Sequence, residues 1–178
     1  IKSFTIVDSK GEVLPFQKVN KDRWQVETKG VKSFTVKYNF YANELNAGST
    51  FLDENQLYIN PVNCFVYIVG REEDECKIEL KLPKDYEIAC SLEQPKKHQL
   101  FAKNFDELAD APLIASNSMQ HETYKVGKTT FHLWFQGEVK PNWKQLKKDF
   151  IAFTQSQLDS MKAFPFKEYH FLFHVLTH

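Results

Sequence analysis

Three histidines close the sequence at spacings of four residues: His170, His174 and His178. Imidazole is a common zinc ligand, so this spacing could create a metal site. On a helix, residues four apart lie side by side, and two of these histidines would share an ion. On a strand, they lie on one face but about 13 Å apart, whereas a zinc ligand lies about 2 Å from its ion.

The residues around these histidines favour the strand. Positions 168–177 are dense in Phe, Tyr, Val and Leu, and they follow a break at Pro165. Aromatic and β-branched enrichment after a proline is typical of a strand. We therefore predict a strand here, with no metal site within it. A histidine site at the C-terminus is the alternative, and it predicts zinc that survives dialysis and is lost in a His174→Ala variant.

The motifs of common active sites are missing from the sequence. His121-Glu122 is its one His-Glu pair, and no second histidine follows at the position that the zinc-protease motif HExxH requires. Gly127-Lys128-Thr129 lacks the upstream glycine of a phosphate-binding loop, and we predict a hairpin turn there. The GxSxG motif is absent, and the acidic run at 72–75 is predicted to be a solvated loop. We predict no catalytic, cofactor-binding or metal-binding residue in this sequence.

The cysteines favour buried thiols. Cys64, Cys76 and Cys90 are widely spaced, and no CxxC pair occurs among them. Each lies in an apolar run, where a small buried thiol is commoner than a disulfide or a metal ligand. Free thiols indicate a reducing compartment, and we predict a cytoplasmic protein.

The composition is that of a folded chain with no charge surplus. Of the 178 residues, 42% are hydrophobic and 16 are Phe, which excludes a disordered chain. Basic and acidic residues number 23 each, so we expect no nucleic-acid partner, because phosphate binding needs a basic surplus. No apolar run approaches the length of a membrane span, so no membrane partner is expected. The sequence starts at Ile1 and stops within an apolar alternation, and we expect both ends to be cuts through a longer protein.

The first hundred residues read as successive strands with turns between them. At 34–40 and 76–82 apolar and polar residues alternate, which indicates strands with one buried face. Short strands with frequent turn signals are typical of an antiparallel sandwich. The predicted strands lie at 1–7, 23–28, 34–40, 56–59, 64–69, 76–82 and 86–90.

The pattern changes after residue 100. Asn104 and Glu107 resemble a capping box that begins a short helix, which Pro112 soon interrupts. A strand is predicted at 129–136 and a long helix at 141–163. The order predicts a mainly β, α+β fold: an antiparallel β-sandwich over 1–100, then a mixed strand and helix segment over 101–178. An apolar stripe on the long helix is predicted to pack in the core, and it consists of Trp143, Leu146, Phe150, Phe153, Leu158 and Met161.

Four stretches together resemble the glycyl aminopeptidase family of zinc metallopeptidases, a thermolysin-like group. They are FTVKYNFYA at 34–42, FLDEN with LYIN at 51–60, FDELADAP at 105–112 and PFKEYHF at 165–171. The resemblance implies that 1–100 is the β-sandwich domain of that family. It also implies that 101–178 is the first part of the thermolysin-like catalytic domain, truncated before the zinc motif.

The resemblance transfers no site residue to this sequence. In the family, a Gly-Gly-Leu-Glu-His stretch and then HExxH follow the last of these stretches, and neither is present here. The family commonly has an arginine between the first two stretches. This sequence has Asn46-Ala47-Gly48 there and no arginine. The chain is therefore expected to be the non-catalytic front portion of a zinc-dependent aminopeptidase, inactive by itself. Zinc and a peptide substrate would belong to the full-length protein.

A stand-alone β-sandwich that binds protein or carbohydrate is the alternative. Exposed aromatic residues such as Tyr41 and Tyr58 would support it. The gene sequence downstream of His178 separates the two hypotheses, because only the peptidase requires HExxH there.

Overall fold

A computed structural model describes residues 1–176. The chain folds into two units, Ile1–Tyr41 and the residues from Ala42 onward. Most of the described secondary structure consists of short antiparallel strands, with one long helix near the C-terminus. The predicted mainly β, α+β class is thus confirmed.

The first unit contains two small antiparallel sheets. Strand β1 pairs with β4, and β2 pairs with β3. Phe4 contacts aromatic residues of β2 and β3. Its ring stacks on Trp24 with centroids 4.4 Å apart and packs edge-to-face with Phe16 with centroids 5.3 Å apart. In β4 the half-buried and exposed residues alternate, as predicted for a strand with one buried face. The strands are β1 Lys2–Asp8, β2 Phe16–Lys18, β3 Trp24–Val26 and β4 Phe34–Asn39.

The second unit contains the remaining elements. In chain order they are β5 Phe51–Leu52, β6 Gln56–Ile59, α1 Pro61–Cys64, β7 Cys76–Glu79, β8 Glu87–Ala89, β9 Glu93–Lys96, β10 Gln99–Ala102, α2 Phe105–Ala109, β11 Leu113–Ser116, β12 Met119–Val126, β13 Thr129–Gln136, α3 Trp143–Met161 and β14 Glu168–His174.

Two antiparallel sheets of this unit enclose one apolar core. One has the strand order β5-β6-β11-β8 and the other β7-β10-β9. Ile88 and Leu113 of the first sheet share a buried cluster with Leu100 of the second. This is the antiparallel sandwich that the turn spacing predicted. The division into domains 1–100 and 101–178 stays a prediction; β11, which follows residue 100, pairs with β6 and β8.

A third sheet carries the long helix. Its order is β12-β13-β14, and β13 pairs antiparallel with β12 but parallel with β14. The predicted hairpin turn at Gly127 joins β12 to β13. Parallel neighbours need a long crossover, which α3 supplies. One face of the sheet, with Phe131 and Leu133, packs against Phe150 and Leu158 of α3.

The helix predictions hold with adjustments. Asn104 Oδ1 accepts the Glu107 N–H at 2.9 Å, as in a capping box, but the Glu107 carboxylate accepts from the Lys103 N–H rather than from Asn104. Helix α3 begins after its N-cap Asn142 and ends at Met161, and the C-cap Lys162 has a left-handed φ of 69°. Phe153 and Met161 of the predicted stripe are 53% and 60% exposed, so the packed stripe is narrower than predicted.

The strand predicted at 64–69 is wrong. Pro61 opens the short helix α1, whose last residue is Cys64, and residues 65–69 form no strand. Proline suits the first turn of a helix because its fixed φ is helical and its missing N–H needs no partner there. The apolar run after it lies in a loop instead.

No α-helix within residues 1–176 combines the length and apolar character needed to cross a membrane.

Candidate functional site

Histidines gather on the face of the β12-β13-β14 sheet that lies opposite α3. Along β13, Phe131 and Leu133 point to the helix, so the alternation of a strand places His132 on the other face. The parallel register sets His132 directly opposite His170 of β14. We use the name His–Glu cluster for His121, His132, Glu168 and His170.

The rings of the cluster are stacked. The His132 and His170 centroids lie 4.2 Å apart, with planes 4° from parallel. His121 Nε2 lies 3.0 Å from His132 Nδ1, a hydrogen bond between the two imidazoles. His121 of β12 also stacks on Trp134, which lies opposite it on β13, with ring centroids 3.6 Å apart.

Hydrogen bonds determine which ring nitrogens carry lone pairs. The Trp134 indole N–H donates to His170 Nδ1 at 3.2 Å, so this nitrogen is unprotonated. The Nε2 atom of His132 is buried and has no hydrogen-bond partner among the described residues. The ligand atoms of His132, Glu168 and His170 lie within 4.8 Å of one another. Within residues 1–176, this is the one such group of three histidine, cysteine or acidic side chains.

Burial keeps the imidazoles neutral at physiological pH. Burial lowers the pKa of His121 and of His132. It also lowers the pKa of His170 to about 4, and the neighbouring His132 and His121 lower the His170 pKa further by smaller amounts. The Glu168 carboxylate acts in the opposite direction on His132, whose pKa it raises. Neutral imidazoles and a carboxylate are the donors found at divalent transition-metal sites.

The predicted C-terminal strand is confirmed at Glu168–His174, but the sequence did not reveal which side chains lie beside its histidines. His170 and His174 both lie on β14, as predicted, whereas His178 lies outside the described residues. His174 is separate from the cluster, with its ring edge-on to Tyr58 at 5.0 Å. Spacing along one strand cannot reveal His132 on the adjacent strand. The alternation in β13 could have shown which face of the sheet His132 lies on. The parallel register with β14 was also needed to place it beside His170.

The other predicted features lie elsewhere. Cys64, Cys76 and Cys90 form no disulfide among the described residues. Cys90 is buried, and burial raises its pKa to about 11. Cys64 and Cys76 are only half-buried. The acidic run at 72–75 lies in a loop, where Asp74 pairs with Arg71.

Comparison with known proteins identifies the family. Residues 1–117 match the sequence model of the peptidase M61 N-terminal domain. No curated protein matches the chain significantly. The fold is similar to the crystal structure of an aminopeptidase N family protein from Idiomarina loihiensis, with a TM-score of 0.85 over 98% of this chain and 23% sequence identity. The chain spans 30% of that protein, and at this identity the likeness shows the fold alone. Because the family model covers more than half of the residues, the chain belongs to the peptidase M61 N-terminal domain family.

Proposed function

We propose that this chain is the front portion of a zinc-dependent aminopeptidase of the glycyl aminopeptidase type. The match of residues 1–117 to the peptidase M61 N-terminal domain carries the proposal. The similarity of nearly the whole chain to an aminopeptidase N family protein supports it. The share of 30% of that protein leaves room for a catalytic domain elsewhere in the full-length protein.

In this proposal, residues 1–100 form a non-catalytic β-sandwich domain, and 101–178 begin a thermolysin-like catalytic domain. The second part supplies the β12-β13-β14 sheet and α3. The stretch that resembles the family at 165–171 runs into β14. The family's Gly-Gly-Leu-Glu-His and HExxH motifs would follow it.

The sequence contains no HExxH motif, so none of its residues can be matched to the zinc ligands of the family. HExxH places two histidines on one helix face with the glutamate between them, but His132 and His170 lie on different strands. The His–Glu cluster is therefore not the family's zinc site, and peptide hydrolysis is proposed only for the full-length protein. We expect the chain alone to be inactive, and we propose a cytoplasmic location for the protein.

The gene sequence beyond codon 178 tests the proposal. We expect an open frame that encodes Gly-Gly-Leu-Glu-His, then HExxH and a further glutamate downstream. A stop codon directly after His178, or a continuing frame without HExxH, would contradict the peptidase proposal.

The alternative of a stand-alone binding module loses part of its support. Tyr58, one of two aromatic residues that would favour it, is buried, and its hydroxyl donates to the Ala47 carbonyl at 2.8 Å. Tyr41 is 78% exposed, but a single exposed tyrosine does not make a binding face. The peptidase proposal is therefore the better supported one.

A further inference from the structure

We propose that His132, Glu168 and His170 bind a divalent transition-metal ion, with Zn²⁺ as the expected ion. This site is distinct from the catalytic zinc site proposed for the full-length protein and does not depend on it. The sequence alone led to the prediction of no metal ligand, because the three donors come from two strands.

The fold brings the three donors together on one surface. Glu168 and His170 are two residues apart on β14 and therefore share a face. His132 joins them from β13 through the parallel register. Their ligand atoms lie within 4.8 Å of one another, whereas ligands of one zinc ion lie roughly 3 to 3.5 Å apart. Side-chain rotations that move the ligand atoms by about an ångström would close this gap, and the exposed Glu168 side chain has room for such a movement.

The Nε2 atom of His132 is available to bind an ion. His132 Nε2 is buried and has no hydrogen-bond partner among the described residues, and leaving a buried polar atom unsatisfied destabilises a fold. In the tautomer with its proton on Nδ1, His132 donates to His121 Nε2 and keeps the Nε2 lone pair free. Hydrogen bonds of this kind orient the ligating histidines of metal sites. His121 is thus a positioning residue for His132.

His170 contributes a second lone pair. Its Nδ1 is unprotonated, because it accepts the indole N–H of Trp134. The stacked rings of His132 and His170 direct their lone pairs side by side rather than at one point, so one ring must turn when the ion binds. Turning His170 replaces the Trp134 hydrogen bond by a metal bond. This exchange gives the site a spectroscopic signal in the indole.

The donor set selects the class of ion. Two imidazoles and one carboxylate suit Zn²⁺, Cu²⁺ and Ni²⁺, whereas Mg²⁺ and Ca²⁺ prefer sites made of oxygen ligands. The Glu168 carboxylate supplies the negative charge that compensates part of the charge of the ion. A bound ion would connect β13 to β14, so it should stabilise the folded chain through linkage.

The test uses the 178-residue chain after removal of metal with a chelator. Zn²⁺ is titrated by isothermal calorimetry, and thermal unfolding is followed with and without the ion. We expect one equivalent to bind and the unfolding temperature to rise. His132→Asn, Glu168→Gln and His170→Asn should each weaken binding at least about 10-fold.

His174→Asn is the matched control. His174 lies on the same strand and face as His170, and its ring nitrogens are also buried without partners among the described residues, but it is outside the cluster. We expect its Zn²⁺ affinity to stay near that of the unchanged chain. Trp134 emission should change with saturation at one equivalent, and this signal should vanish in Trp134→Phe.

Two results would overturn the proposal. One is the absence of Zn²⁺ binding by the unchanged chain. The other is binding that Glu168→Gln leaves intact, since Glu168 is exposed and we expect this substitution to leave the fold unchanged. Neither result touches the peptidase proposal, because the catalytic motif lies outside the 178 residues tested.

Discussion

His132 on β13 lies directly opposite His170 on β14, and their rings stack with centroids 4.2 Å apart. The pairing depends on α3, which returns the chain to the sheet and allows β14 to run parallel to β13. Burial disfavours a positive charge on either ring, so protonation opposes folding. The stability of this sheet should therefore depend on pH.

We expect the metal-free chain to lose stability as the pH falls from about 6.5 to about 4. Burial first, and then His132 and His121, lower the pKa of His170 from 6.5 to about 4. The unfolded chain binds this proton near pH 6.5, so its contribution to stability is fully present above that pH and is lost as the pH falls through the folded pKa. At about 1.4 kcal/mol per pKa unit the full shift corresponds to about 3 kcal/mol, and solvent screening of the half-buried ring should reduce the loss to about 2 kcal/mol, measured by urea unfolding at several pH values.

The control for this pH dependence is His170→Asn. Its free energy of unfolding should change less over the same pH range, because the lowered pKa is removed. Glu168 opposes the effect by raising the pKa of His132, so Glu168→Gln should steepen the dependence. An identical pH profile for His170→Asn and the unchanged chain would contradict the assignment.

Gly137 should be irreplaceable at the end of β13. Its φ is 116°, and an added Cβ would lie 2.5 Å from the Val175 carbonyl oxygen. Gly70 also has a positive φ, 83°, but open space around it. We expect Gly137→Ala to reduce the free energy of unfolding by about 3 kcal/mol and Gly70→Ala by about 1 kcal/mol. Equal losses in chemical denaturation would show that the contact with Val175 does not matter.

Phe150 and Phe153 of α3 should differ in their contribution to stability. The Phe150 ring lies 5.2 Å from Phe171 and 6.1 Å from Phe173, on the helix face that packs on the sheet. Phe153 is 53% exposed. We expect Phe150→Ala to destabilise the chain by about 3 kcal/mol and Phe153→Ala by less than about 1 kcal/mol. The reverse order in thermal or urea unfolding would mean that α3 is rotated about its axis.

Cys90 should be the least reactive thiol of the folded chain. It is 2% exposed, and burial raises its pKa to about 11, so almost no thiolate forms at neutral pH. Cys64 and Cys76 are only half-buried. Timed alkylation followed by peptide mass spectrometry should label Cys64 and Cys76 first and Cys90 only on unfolding. Early labelling of Cys90 would contradict its position in the core.

The strands could be predicted where one face is buried. Alternation at β4 and β7 gave their positions, because a strand with one buried face must place apolar residues at every second position. The run at 64–69 misled the prediction because it is apolar throughout and gives no period. No strand was predicted at β2, β5, β9, β10, β11 or β12. The shorter ones, such as β9 and β10, have too few residues to show an alternation.

The candidate site could not be predicted from any single segment of the sequence. The strand nature of β14 was predictable, and with it the separation of His170 from His174. The register between β13 and β14, in contrast, is set by how α3 packs on the sheet. The contact of His132 with His170 follows from that packing and not from spacing in the sequence.

Peptidase activity of the complete gene product that contains this chain tests the proposed function most directly. We expect the full-length protein to contain zinc, to release N-terminal residues from peptides, and to lose this activity on chelation and regain it with Zn²⁺. The 178-residue chain serves as the control and should release nothing. A folded, zinc-containing full-length protein that releases no N-terminal residue from any peptide would contradict the proposal.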